Sequence, residues 1–198
     1  MKKAIYLGLI LVILAAIVLS GCGKKEEEIG ADINTLESLK AIMENAKAAA
    51  GEKIVMPPFT IENQVTKENC DGYLGITAEK FEEYVTESYT MVAAISSQAF
   101  DLALVKCKDY ASAKEIKKLI AEGFDPAQRI CAISEQAFVI ESGRFVLLGG
   151  VGNEAAELLQ KAFDEQFETK SGDVNKFYER GADVQEGGGI GGGPAVLP

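Results

Sequence analysis

The sequence predicts an α+β domain: an antiparallel sheet with helices packed on one face, in a single unit. Three observations point there. Four segments repeat apolar residues at helical spacing behind capping residues, and several short apolar runs are bounded by turn signals. Helical and extended segments also follow one another without the regular alternation that builds a doubly wound parallel sheet.

The first helix spans residues 35–50. Asn34 stands as its cap with Glu37 at the third helical position, and Gly51 ends it. Leu36, Leu39, Met43, Ala46 and Ala50 form its apolar stripe. Residues 52–75 read as irregular, with turns at Pro57-Pro58 and Asp71-Gly72 and a short strand around Phe59–Ile61. Thr77 caps a second helix, Ile76 staples onto Phe81, and Phe81, Tyr84 and Val85 share a face.

Met91–Ile95 and Phe100–Cys107, separated by Ser96–Ala99, read as an antiparallel pair. Ser112-Ala113-Lys114-Glu115 is a capping box that opens a third helix, its core face Ala113, Ile116, Leu119 and Ile120 and its stop Gly123. Arg129–Ile133 is a candidate strand. Ala137–Glu141 and Arg144–Leu148 form a hairpin around Ser142-Gly143, with Glu141 opposite Arg144. Asn153 caps a last helix with Ala155, Leu158, Leu159, Ala162, Phe163 and Phe167 on one face.

The two ends read differently. Lys2 and Lys3 precede an unbroken apolar or small-residue stretch, Ala4–Leu19, which suits an export signal and is shorter than the ~20 residues of a spanning helix. Leu19-Ser20-Gly21-Cys22 follows. This resembles the lipobox of bacterial lipoproteins. The resemblance implies a diacylglyceryl thioether on Cys22, cleavage between Gly21 and Cys22, and a lipid anchor at the extracytoplasmic face of the cell membrane. Two acyl chains hold far better than one, since each buried CH₂ contributes about 0.8 kcal/mol.

Gly23–Glu28 is charged and lacks apolar residues, so it reads as a flexible tether. At the other end, seven glycines lie between Gly181 and Gly193, and residues 170–198 read as a disordered tail. The expected organisation is a signal at 1–21, lipidated Cys and tether at 22–33, folded domain at 34–169 and tail at 170–198.

Composition narrows function. The chain carries a net charge of −10, and removing residues 1–21 takes Lys2 and Lys3 but no acid, leaving −12. That acidity opposes nucleic acid and anionic lipid surfaces. The sequence has no His, which excludes Ser-His-Asp and Cys-His catalysis and imidazole metal sites. It has no Trp, the favoured sugar-stacking platform and interface anchor.

From about Gly72 to Phe167 the order of motifs resembles a family of uncharacterised domains in lipoproteins of Gram-positive, clostridial-type bacteria. The matching stretches are Tyr73-Leu74-Gly75-Ile76, Met91-Val92, Phe100–Lys106, Glu115–Gly123 and Phe138–Gly149. The resemblance implies an extracytoplasmic α+β module and carries over no catalytic residue.

Candidate chemistry is sparse. Cys70, Cys107 and Cys131 have no Cys-x-x-Cys spacing. Cys107 and Cys131 read as buried core thiols or a disulfide, and Cys70 as a loop thiol open to exposure. Asp101 interrupts an apolar strand and reads as the start of an exposed face or edge; buried, it would need a partner. Glu79, Glu82 and Glu83 read as a solvated helix face. Tyr73, Tyr84, Tyr89 and Tyr110 flank the first strand pair, as rim packing or a binding surface.

No catalytic residue, metal or cofactor is assigned. The expectation is a lipid-anchored, non-catalytic binding module of the cell envelope with an envelope protein as partner. A small-ligand or solute-binding lipoprotein is the alternative, and a carboxylate-based surface hydrolase ranks below both.

Overall fold

The computed structural model describes residues 33–51, 56–95, 99–128, 134–168 and 175–180. The lipobox and tether, Arg129–Ile133 and residues 181–198 lie outside the described residues.

Helix α1, Thr35–Ala50, starts at Asn34, whose side-chain oxygen accepts from the Glu37 N–H at 3.0 Å. It ends at Gly51, at φ +61°. Its buried stripe is Leu39, Ile42, Met43 and Ala46, and Leu36 is half-buried at its edge. Strand β1, Thr60–Gln64, follows, then two short helices, α2 (Cys70–Leu74) and α3 (Ala78–Tyr84). Asp71-Gly72, expected as a turn, lies inside α2. Thr77 caps α3 as expected, accepting from the Lys80 N–H.

Strand β2, Val85–Ala93, begins directly after α3, so Val85 is a strand residue rather than part of the helix face. It pairs antiparallel with β3, Asp101–Cys107. Helix α4, Tyr110–Gly123, opens two residues before the expected box. Asp109 is its cap, and Ser112 donates its backbone N–H to Asp109 Oδ1 at 2.7 Å. The Asx cap at Asp109 stands three residues, almost one turn, before Ser112, so Ser112 is itself a first-turn residue whose N–H the cap satisfies.

The hairpin is β4 (Gln136–Ser142) and β5 (Phe145–Val151). Ser142 pairs with Phe145 around Gly143-Arg144, shifting the expected turn by one residue. Glu141 therefore sits opposite Val146, not Arg144, and pairs instead with Lys117 of α4. Arg144 donates to the Lys108 carbonyl. Helix α5, Asn153–Gln166, has Gly152 rather than Asn153 at its cap position, and the Asn153 N–H donates to the Glu135 carboxylate at 2.9 Å. The cap thus comes from a residue distant in sequence.

Strand β6, Asn175–Glu179, pairs with β4 and lies within the stretch expected as tail. The domain boundary at 169 falls short for that reason. Main-chain pairing, and Phe177 edge-on to Phe124 at 6.2 Å, hold a segment with little apolar content.

The six strands among the described residues form one antiparallel sheet in the order β1-β2-β3-β5-β4-β6, as the α+β reading requires. The expectation of helices on one face is corrected: they cover both. Leu102, Leu104, Phe138, Ile140, Phe145 and Leu147 point to a core closed by α1 and α5. Their strand neighbours Ala103, Val105, Val139, Val146 and Leu148 point to a second core closed by α2 and α4.

The reason lies in the strands. β3, β4 and β5 are apolar at consecutive positions, so each presents two faces that need covering. Each Leu or Ile so buried stabilises the fold by about 1.5–3 kcal/mol.

Candidate functional site

Edge strand β1 departs from the rule that apolar side chains go inward. Phe59 is 69 % exposed, Ile61 51 % and Ile95 56 %. Phe59 and Ile61 are two residues apart and share one face. Ile61 is directly opposite the half-buried Val92, and the Ala94 N–H donates to the Phe59 carbonyl at 3.0 Å, bringing the Ile95 segment alongside.

The hydrogen-bond phase of this strand follows from its register. Ala94 binds Phe59, and Val65 donates to the Ser88 carbonyl at 2.9 Å. Because antiparallel pairs alternate between bonded and non-bonded, Phe59, Ile61, Asn63 and Val65 turn their peptide groups toward β2. Thr60, Glu62 and Gln64 turn theirs outward, where the Gln64 carbonyl accepts from Asn69 Nδ2 at 3.2 Å. Among the described residues no strand pairs with that outer side.

On the other face of β1, the Glu62 carboxylate lies 3.2 Å from Lys40 Nζ and holds the Lys40 ammonium above the ordinary lysine range. The opposite sheet edge is different: β6 carries Lys176 and Glu179 and a register shift at Ala137/Phe138, features that blunt an edge. Both edges carry charge, but among the described residues only the β1 edge adds large exposed apolar side chains, Phe59 and Ile61.

Two surface hollows lie elsewhere among the described residues. One, of about 500 Å³, is bounded by Gln64, Thr66, Lys67, Phe81 and Glu82, with the Lys67–Glu82 ion pair at 2.7 Å in its wall. The other, of about 410 Å³, lies over the start of α5 among Glu154, Glu157, Lys176 and Glu179. Both are open to solvent with linings about as polar as apolar, unlike the enclosed, mostly apolar pocket that holds a small molecule.

The residues singled out in the sequence do not converge. Cys22 and Cys131 lie outside the described residues. Cys107 is a free thiol buried in β3, and burial pushes it up to about 12. Cys70, expected in an exposed loop, is buried in α2 with its thiol donating to the Ile76 carbonyl at 3.3 Å; burial raises it too. Burial disfavours, at both sulfurs, the thiolate that a nucleophile needs. Asp101, expected at an exposed edge, is buried at the start of β3, because the second face of the sheet is covered.

Glu79, Glu82 and Glu83 are exposed, the last two paired with Lys67 and Lys80. The tyrosines separate: Tyr73 and Tyr84 pack on the α4 side, Tyr89 on the α1 side, and Tyr110 takes Lys114 over its ring at 4.3 Å. Among the described residues no three His, Cys, Asp or Glu side chains gather as metal ligands, and no helix is long and apolar enough to cross a membrane.

The exposed trio was not singled out in the sequence. The signal was there: Phe59-x-Ile61 alternates beside Pro57-Pro58, and Ile95 abuts Ser96-Ser97, so three large apolar residues border turns. Comparison with known protein families, curated proteins and solved structures finds no match.

Proposed function

We propose that this chain is a lipoprotein of the bacterial cell envelope, held through Cys22 at the extracytoplasmic face, whose α+β domain is a non-catalytic interaction module working through the β1 edge. The anchor rests on Leu19-Ser20-Gly21-Cys22 behind a charged and then apolar stretch. The interaction reading rests on one observation: Phe59 and Ile61 are exposed on one face of an edge whose outward peptide groups have no strand partner among the described residues.

Large apolar side chains next to free strand hydrogen bonds are the chemistry of strand addition, in which main-chain bonds supply affinity and alternate side chains supply specificity. The eleven residue steps from Cys22 to Ile33 span at most about 40 Å, which limits how far the start of the first helix can stand from the membrane. A photo-crosslinking amino acid at position 61, in cells expressing the full chain, tests the reading. A light-dependent adduct is expected; an edge that yields none is not an interaction surface.

A further inference from the structure

Resting on the reading of β1 as the working edge, we propose that its occupant is a second copy of this chain, joined β1 to β1 about a two-fold axis at Ile61. The outward peptide groups belong to Thr60, Glu62 and Gln64, so these residues must fall in the bonded pairs of any added strand. A two-fold centred on Glu62 would set two carboxylates directly opposite, an unfavourable pair. Centred on Ile61, Thr60 of one copy faces Glu62 of the other, and the pair exchanges both main-chain hydrogen bonds, twice over by symmetry.

In that register Ile61 meets its own symmetry mate in a non-bonded pair, where side chains approach most closely. Phe59 of each copy lies diagonal to Ile61 of the other, so the four exposed apolar side chains cover one another. Glu62 keeps Lys40 on the opposite face, and no like charges stand opposed. The edge is self-complementary, as an isologous interface must be.

The axis also suits the anchor. A two-fold that joins antiparallel strands within a sheet stands perpendicular to the sheet, so both copies keep α1 on the same side. Ile33, whose carbonyl accepts from Lys106 Nζ at 3.0 Å, fixes the start of α1 on that face. Both copies therefore present Ile33 on the same side of one continuous sheet, compatible with one membrane plane.

Cysteine cross-linking of the full chain, in whichever cell fraction holds it, tests this. Ile61→Cys places two thiols on Cα atoms about 4.5 Å apart, within disulfide reach. Asn63→Cys places them about 14 Å apart, beyond it. Mild oxidation is expected to give a covalent dimer with Ile61→Cys at least ten times faster than with Asn63→Cys or the unsubstituted chain. The unsubstituted chain is expected to sediment at twice the mass of Glu62→Pro, which removes an outward N–H.

Equal cross-linking at 61 and 63, or a monomer of the unsubstituted chain with no disulfide at 61, overturns the proposal. A photo-adduct at position 61 containing a different protein overturns it too, while leaving the interaction reading intact. No adduct of any kind removes both.

Discussion

Gly75 and Gly123 meet backbone to backbone. Gly75 caps α2 at φ +68°, and Gly123 ends α4; a Cβ on Gly123 would lie 3.1 Å from the Gly75 carbonyl carbon and closer still to its oxygen. Nothing at this junction is a flexible side chain that can swing aside. Two helix ends on the second core are locked together by the absence of two methyl groups.

Gly75→Ala and Gly123→Ala are each expected to destabilise the domain by about 3 kcal/mol or more, in the range of overpacking and backbone strain. Gly51 is the control. It also has positive φ, +61°, but a Cβ there would meet nothing within 4 Å, so Gly51→Ala should cost only the conformational strain, about 1–2 kcal/mol. Denaturant midpoints for the three variants check the order. Equal losses would show that space between Gly75 and Gly123 is not limiting.

The Lys117–Glu141 pair bridges α4 to β4 with both side chains largely buried. Glu141→Ala leaves an ammonium without its carboxylate and is expected to cost about 3–5 kcal/mol, with Lys117→Ala of similar size. The double substitution should cost less than the sum of the two. A double-mutant cycle on unfolding free energies reads the coupling directly; strict additivity would mean that the pair contributes nothing beyond its stems.

Acid should weaken the fold through identifiable carboxylates. The Ser112 backbone N–H holds the Asp109 carboxyl below its ordinary range, a hydrogen bond near Thr66 does so for Glu68, and Lys80 does so for Glu83. A carboxyl depressed in the folded state contributes stability that is fully present above its unfolded pKa, about 4, and is lost as pH falls through the folded value. Melting temperature is therefore expected to be flat from pH 7 to about 5 and to fall below 4. Asp109→Asn, which keeps a cap oxygen but no charge, should make the acid limb shallower. An unchanged limb would show that Asp109 does not contribute to it.

Much of this architecture is local and so was readable from residues. Asn34 and Thr77 cap the helices they precede, because an Asx or Thr cap answers to N–H groups three residues away. The β4–β5 hairpin is equally local, although its turn sits one residue later than the apolar pattern suggests. What was not readable is long-range. Glu135 caps α5 from the far side of β4, and nothing near Asn153 signals it.

Whether an apolar run such as Phe145–Leu148 buries one face or two depends on which helices arrive. The placement of helices on both sides therefore emerged only in three dimensions, and with it the burial of Asp101. β6 belongs to the sheet through its backbone and carries little side-chain pattern. The open edge was half-legible: Phe59 and Ile61 stand out as apolar residues beside two prolines, but their exposure depends on β1 being outermost.

If Cys22 carries the anchor, Cys22→Ser should release most of the protein from the membrane fraction to the external medium or the soluble envelope fraction. The domain itself should stay folded, since α1 begins at Thr35 and its cap is Asn34. Fractionation with immunodetection reads this; unchanged membrane association would show that something other than a lipid on that sulfur holds the chain.

Hydrogen exchange at β1 in native membranes probes the working edge itself. The amides of Thr60, Glu62 and Gln64 face outward, so only an added strand can protect them. Slow exchange is expected for those three amides in the membrane and fast exchange once the chain is diluted to a monomer, with Ile61 and Asn63 protected in both. Fast exchange at Thr60, Glu62 and Gln64 in the membrane would mean that the edge is unoccupied and that β1 is not where this protein meets its partner.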